Sequence, residues 1–252
     1  MAVLSIIGSK GGVGTSLVAT NLGCALANSG STLLIDAKTG NGVDDLLLDS
    51  VSSKSWTDLI PVRSELLPRH IDLATSDHPA GLKILCGPAG WQFTGDDAEF
   101  RDLVRALSER FDWCLIDMAL HGRASEQGTF SISDVIILVT SADPPALRSA
   151  RRFLNLIPAH SRERVGLVIN QINKHHPSTP GQIADSLHLP LLASLPPDTR
   201  SVGYQVHFGR ACVLDPASPF GGSIHALGTR LRKSASVQIK PDAPSDPTRG
   251  QS

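Results

Sequence analysis

The chain has 252 residues, with 23 Lys and Arg against 24 Asp and Glu, so its formal net charge is −1 at pH 7. That balance supplies no global field toward nucleic acid or an anionic membrane and argues against DNA as a partner, while a hydrophobic fraction of 41% is ample for one large α/β domain. No apolar run approaches the roughly 18 residues of a membrane span, and no basic region precedes an apolar stretch at the start, so the chain reads as cytoplasmic. Cys24, Cys86, Cys114 and Cys212 lie far apart with no C-x-x-C pair, which favours buried reduced thiols over disulfides, metal or an iron–sulfur cluster.

In chain order, the apolar run Val3–Ile7 predicts a first strand, and Leu17–Asn28 a helix behind it. Further strands are predicted at Ser31–Ile35, Leu82–Cys86, Trp113–Ile116, Val135–Val139, Val165–Ile169 and Leu191–Leu195. Helical patterns separate them at Asp97–Arg110, Pro145–Ile157, Pro180–Leu187 and Ser223–Lys233. Continuous apolar strands alternating with helices imply a mostly parallel sheet covered on both faces, a three-layer α/β/α sandwich. The stretch from Ser50 to Ala80 is less regular, with Trp56 on a short helical segment and a strand expected at Ile71–Ala74. Residues 1–233 read as a single domain. From Ser234 the composition turns to Pro, Asp, Ser and Gly, and 234–252 is expected to be a disordered tail. The helix before it, with Leu227, Leu231 and the basic Arg230, Arg232 and Lys233, reads as a core-covering helix with a solvated end rather than a membrane-surface helix.

The richest chemistry lies at Gly8-Ser9-Lys10-Gly11-Gly12-Val13-Gly14-Thr15-Ser16, between the first strand and the first helix. Its glycines let consecutive N–H groups turn inward on an anion, and the helix adds its positive end. Ser16 stands where a phosphate-loop protein places a Mg2+ ligand. Asp117 closes the strand Trp113–Ile116, a position from which a carboxylate can hold a water on Mg2+. Asp36 closes the second strand and is another group placed to face the loop. The loop departs from G-x-x-x-x-G-K-[ST], because Thr15 stands where that pattern has Lys, and Lys10 comes early instead.

Lys-Gly-Gly-Val-Gly followed by a small or basic residue and Ser/Thr resembles the deviant phosphate loop of the MinD/ParA family of P-loop ATPases. The resemblance implies a P-loop NTPase fold with ATP and Mg2+ as cofactors. It also implies a homodimer across the nucleotide, in which Lys10 reaches the partner's phosphates. It carries catalytic roles onto Lys10 and Asp36 and metal binding onto Ser16 and Asp117. Nucleotide contacts fall on Lys10, Gly11, Gly12, Val13, Gly14, Thr15 and Ser16, with Asn170, Pro196 and Asp198 holding the base. The closest branch is the CpaE/TadZ group, suggested by Gly42–Leu48, Ala80–Leu85, Phe111–Trp113 and Leu147–Leu154. That branch implies pilus or secretion assembly partners and recruitment to a cell pole.

The chain also departs from the family. Relatives carry a second Asp two residues after the one at Asp36, and this chain has Lys38, a cation that cannot accept a water's proton. Met118-Ala119-Leu120-His121-Gly122 likewise lacks the Pro and small residue expected after Asp117. These differences imply ATP binding with hydrolysis weak or absent. The rival readings are a DNA-partitioning or division-site positioning ATPase, the former using Arg148, Arg151, Arg152, Arg162 and Arg164 as a patch, and a metabolic enzyme on the same scaffold.

Overall fold

The structure is a computed structural model that describes residues 1–38, 40, 42–50, 52–88, 97–119 and 124–238. Strand β1 (Ala2–Gly8) leads through the glycine-rich loop into helix α1 (Thr15–Ala27), and β2 (Thr32–Asp36) is followed by the short α2 (Asp44–Leu47). A 3-10 helix (Trp56–Glu65) and α3 (Pro68–Ala74) precede β3 (Ser76–Asp77) and β4 (Leu82–Leu85). Then come α4 (Asp97–Ser108), β5 (Trp113–Met118), α5 (Ala124–Ile132), β6 (Val135–Ser141), α6 (Pro144–Leu156) and α7 (Ala159–Arg162). The chain continues through β7 (Val165–Asn170), α8 (Pro180–Leu187), β8 (Leu191–Ser194), α9 (Thr199–Phe208) and α10 (Pro219–Gln238).

The eight strands form one sheet in the order β3-β4-β2-β5-β1-β6-β7-β8. Among the described residues only the β3–β4 pairing is antiparallel. The strands are apolar on both sides because helices cover both faces. Alternation along β1 sorts its residues. Ala2, Leu4 and Ile6 join a core with Val18, Leu22 and Leu26 of α1 and Ile224, Leu227 and Leu231 of α10. Val3 and Ile7 join the opposite core, with Leu103 and Leu107 of α4 and Phe153 and Leu154 of α6. Each fully buried Leu or Ile here contributes about 1.5–3 kcal/mol. Between Val3 and Ile7 stands Ser5, whose hydroxyl pairs with that of Ser133 at 2.7 Å and so is not left as an uncompensated polar group.

The same alternation places the chemistry. In β5, Trp113 and Leu115 face the α1 core and Asp117 follows in step. In β2, Leu34 faces that core and Asp36 follows in step. Asp36 and Asp117 are direct register partners in the parallel β2–β5 pairing. Both carboxylates therefore point to the face where α1 begins.

Two expectations change. Ile71–Ala74 is the last part of helix α3, not a strand. Pro68 opens that helix at a position where its missing N–H is no loss, and the extended segment follows it as β3. The last helix starts at Pro219 and runs to Gln238, past the expected boundary at residue 233, while residues 239–252 lie outside the described residues. Its identity as a covering helix is supported by packing: Leu227 and Leu231 are buried, and Arg230 donates to the carbonyls of Leu191 and Leu192 at 2.7 and 3.1 Å. Among the described residues no helix is long and apolar enough to cross a membrane.

Candidate functional site

The loop between β1 and α1 sits at the carboxyl ends of the central strands. Gly12 and Gly14 adopt φ of +81° and +90°, in the left-handed region. Gly14 has a second reason to lack a side chain, since a Cβ there would stand 2.4 Å from Asn170 Nδ2. That amide donates to the Val13 carbonyl at 2.9 Å, and Asn170 Oδ1 accepts the Gln171 N–H at 2.9 Å. The loop is thus braced from β7. Ser9 is fixed as well, its N–H to the Val139 carbonyl at 2.8 Å and its hydroxyl to that of Thr140 at 2.9 Å.

A cleft of about 620 Å³ opens over this loop. Of the residues expected to contact a nucleotide, Lys10, Gly11, Gly12, Gly14, Thr15 and Ser16 line it, and Lys38 does too. Val13 is buried beneath. Asn170, Pro196 and Asp198 do not line it. Asn170 lies behind the loop. Asp198 caps α9 by accepting the Ser201 N–H at 3.0 Å and is bonded to the Ser218 hydroxyl at 2.6 Å. Gln171, in the left-handed region at φ +57°, is the residue at the end of β7 that reaches the cleft.

Lys10 is exposed and its ammonium lies 3.9 Å from the Asp143 carboxylate at the N-cap of α6. Such an exposed pair contributes about 0–1 kcal/mol and leaves the side chain free to move.

Below the cleft floor Asp36, Asp44 and Asp117 bring carboxylate oxygens within 4.8 Å of one another, all three buried. Asp36 Oδ1 accepts the Lys38 N–H at 3.0 Å and Oδ2 accepts the Asp44 N–H at 3.3 Å, so this side chain ties down the turn after β2. Both oxygens of Asp44 and Oδ1 of Asp117 have no hydrogen-bond partner among the described residues. Burial, then the negative charge of Asp117 and Asp36, holds the Asp44 carboxyl well above the usual carboxylate range. A protonated Asp44 is a donor to Asp117, and its one proton joins one Asp44 oxygen to Asp117 and leaves the other Asp44 oxygen without a partner. Asp36 is pushed up to about 6, chiefly by burial and against the pull of Lys38.

Lys38 is the cation of this cluster. Its Nζ donates to Ser16 Oγ at 2.6 Å and pairs with Asp117 Oδ2. Its side chain is only 10% exposed. The attraction of Asp117, Asp44 and Asp36 together overcomes desolvation and raises its pKa, so the ammonium is the stable form.

No protein-family model matches the chain. The septum site-determining protein MinD of Synechocystis sp. is 28% identical to it over 209 residues, 79% of this chain and 77% of that protein. A ParA family ATPase from Chlorobium tepidum has the same fold, with a TM-score of 0.81 at 19% identity over 90% of this chain and 98% of that one. MinD from Pyrococcus horikoshii, solved with Mg-ADP, gives a TM-score of 0.77 at 20% identity over 95% and 99%. These likenesses support the MinD/ParA family of P-loop ATPases. The eight-stranded sheet with helices on both faces is the P-loop α/β fold of that family.

The MinD/ParA resemblance gives Mg2+ to Ser16 and Asp117. As they stand, these two groups do not fit the ion, because the Lys38 ammonium lies between them and donates to both. Lys38 therefore does more than replace an acidic residue.

Two features of the cluster escaped the sequence reading. Asp44 is fully buried while its neighbour Asp45 is half exposed, and the Asp-Asp doublet alone does not say which turns inward. Nothing in the sequence gives the direction of the Lys38 side chain either. His121 and Gly122 lie outside the described residues.

The remaining expectations meet ordinary structural roles. Arg162 donates to the Leu154 carbonyl and Arg164 to that of Ser133, leaving Arg148, Arg151 and Arg152 exposed along α6. Burial pushes the thiols of Cys24, Cys86, Cys114 and Cys212 up to about 12, far from a reactive thiolate.

Proposed function

We propose that this chain is a MinD/ParA-like protein that binds ATP in the cleft over Lys10–Ser16 and uses binding, with turnover weak or absent, as its signal. The observation that carries this reading is Lys38. Where relatives are expected to have a carboxylate to position the attacking water, this site has a buried ammonium, which has no lone pair to accept the water's proton. The loop meanwhile keeps its anion-binding backbone and the positive end of α1.

The bound form is a homodimer across the nucleotide. Lys10, exposed and weakly held by Asp143, is the residue free to reach a partner's phosphates. Two measurements test this. Size exclusion with light scattering, without nucleotide, with ADP and with ATP, is expected to give a dimer only with ATP, and Lys10→Ala is expected to remove it. Phosphate release is expected near background; turnover at ordinary ATPase rates, abolished by Asp117→Ala, overturns the reading.

Its cellular task is proposed to be placing the Flp/Tad-type pilus assembly machinery at a cell pole, on the motifs that resemble the CpaE/TadZ branch. Division-site positioning is the second reading, favoured by the likeness to MinD of Synechocystis. A fluorescent fusion separates them. Deleting the pilus assembly genes disperses its focus on the first reading and leaves it in place on the second.

A further inference from the structure

We propose that the Lys38 ammonium takes the place of Mg2+ in this site, so that the cleft accepts a nucleoside phosphate without a divalent cation. The inference rests on the nucleotide reading of the cleft.

Three observations carry it. First, Lys38 Nζ occupies the space between the two groups that would hold the metal, bonded to Ser16 Oγ at 2.6 Å and paired with Asp117. A magnesium ion needs ligand oxygens at about 2.0–2.1 Å in a near-octahedral shell, and it cannot share that space with a fixed positive charge. Second, the lysine is built in. Its N–H is held by Asp36 Oδ1 at 3.0 Å. Its carbonyl oxygen lies against Gly87, where a Cβ would stand 2.4 Å away. The stem is buried, so the ammonium does not simply swing into solvent. Third, Lys38 lines the cleft beside Thr15 and Ser16, and two of its three N–H groups are used. Among the described residues no partner takes the third, which is left for a phosphate oxygen.

One side chain thereby answers two departures in the sequence. Thr15 removes the lysine a phosphate loop ordinarily supplies, and Lys38 returns a positive charge to the same cleft from the other side. A single ammonium carries one charge where Mg2+ carries two, and it cannot draw in water ligands. The site is accordingly suited to holding a nucleotide and ill suited to activating a water against it.

The experiment is a titration of the wild-type chain with fluorescent ATP and ADP analogues, in Mg2+ and again in excess EDTA. Electron paramagnetic resonance with Mn2+ added to the nucleotide-loaded protein runs beside it. We expect dissociation constants within about twofold of each other in the two buffers, and a Mn2+ signal no different from that of the Mn2+–nucleotide complex alone. Lys38→Ala is expected to weaken binding in EDTA roughly tenfold to hundredfold, the loss of a charge-assisted phosphate contact, and Mg2+ to restore part of it. Tenfold or greater loss of wild-type binding in EDTA, or a protein-bound Mn2+ signal, overturns the assignment while leaving the nucleotide reading intact. Absence of binding in both buffers overturns the nucleotide reading, and the assignment with it. If Lys38→Ala does not fold, the wild-type titration and the Mn2+ spectrum decide alone.

Discussion

Along the flank of α1, Asn21 donates to Gln205 Oε1 at 2.7 Å, while Gln205 Nε2 donates to Thr20 Oγ1 at 3.1 Å and to the Leu47 carbonyl at 3.3 Å. The N–H groups of Cys212 and Val213 close on Gln205 Oε1 and Asn21 Oδ1 at 3.1 and 2.9 Å. At the beginning of the same helix, three carboxylates and one ammonium share a site in which three carboxylate oxygens lack partners until Asp44 takes up a proton. Both clusters are buried and both are polar. The first is neutral and complete, so it fixes α1, α2 and α9 against one another. The second is charged and incomplete, so its unpaired carboxylate oxygens have capacity left for a proton. Full satisfaction marks a structural network here, and unpaired acceptors mark the site.

The sharpest way to break this comparison is Gln205→Leu. It leaves Thr20, Asn21, the Leu47 carbonyl and the Cys212 N–H short of partners, and the expected loss is on the order of 3–5 kcal/mol in urea unfolding. A loss below about 1 kcal/mol would show that water or rearrangement substitutes readily, and that the neutral cluster is no more a structural network than the charged one.

Asp44→Asn acts in the opposite direction. It removes a buried carboxyl and offers amide protons to the unpaired oxygen of Asp117, so stability at pH 8 is expected to rise by about 1–2 kcal/mol. The pH dependence follows from the sign of the shifts. Asp36, held at about 6 in the fold, and Asp44, held well above the usual carboxylate range by burial and the neighbouring carboxylates, bind protons that the unfolded chain has already released. Stability is therefore greatest at the acid side of this window and falls as pH rises through it. Urea midpoints of the wild type are expected to fall from pH 5 to pH 8. Those of Asp44→Asn are expected to fall less, so that the two chains converge toward pH 5. A midpoint that rises over this range contradicts the protonated Asp44.

The smallest effect is expected at Lys10→Ala. Its pairing with Asp143 is exposed, and thermal stability is expected to change by less than about 0.5 kcal/mol. A larger loss would place Lys10 among the structural groups and against its reach to a partner.

Strands β1, β2, β5, β6 and β7 were legible because they are buried almost throughout and read as largely apolar runs, whereas the two-residue edge strand β3, Ser76–Asp77, carries no such signal. The helices from Asp97 and Pro180 were legible for similar reasons of pattern and Pro placement. Ile71–Ala74 was not, since four residues are too few to separate a strand from a helical turn and Pro68 was the better signal. Helix α9 was also missed, although Asp198 ahead of Thr199 is a cap signal. The loop and the two strand-end carboxylates were readable because spacing along the chain fixes them. Asp44 and the aim of Lys38 were not, because burial of one Asp in a doublet and the path of a long side chain are settled by neighbours distant in sequence. Asn170 shows the converse: its place at the strand end was right, while its amide turns to Val13 behind the loop.

The order of the strands also bears on how the molecule comes into being. β1 is made ahead of the other strands of its sheet, yet its two neighbours there are β5 and β6. Its backbone hydrogen bonds wait until Trp113–Met118 and Val135–Ser141 have been made. Long-range pairing of this kind slows folding, because chain closure precedes the contacts that reward it. A nascent chain ending before β5 has neither partner of β1, so the loop, Ser16 and Lys38 reach their final arrangement only after β5 and β6 have been synthesised. Until then β1 is an unpaired apolar strand, and the window in which it needs protection is set by the translation of the residues between β1 and β6.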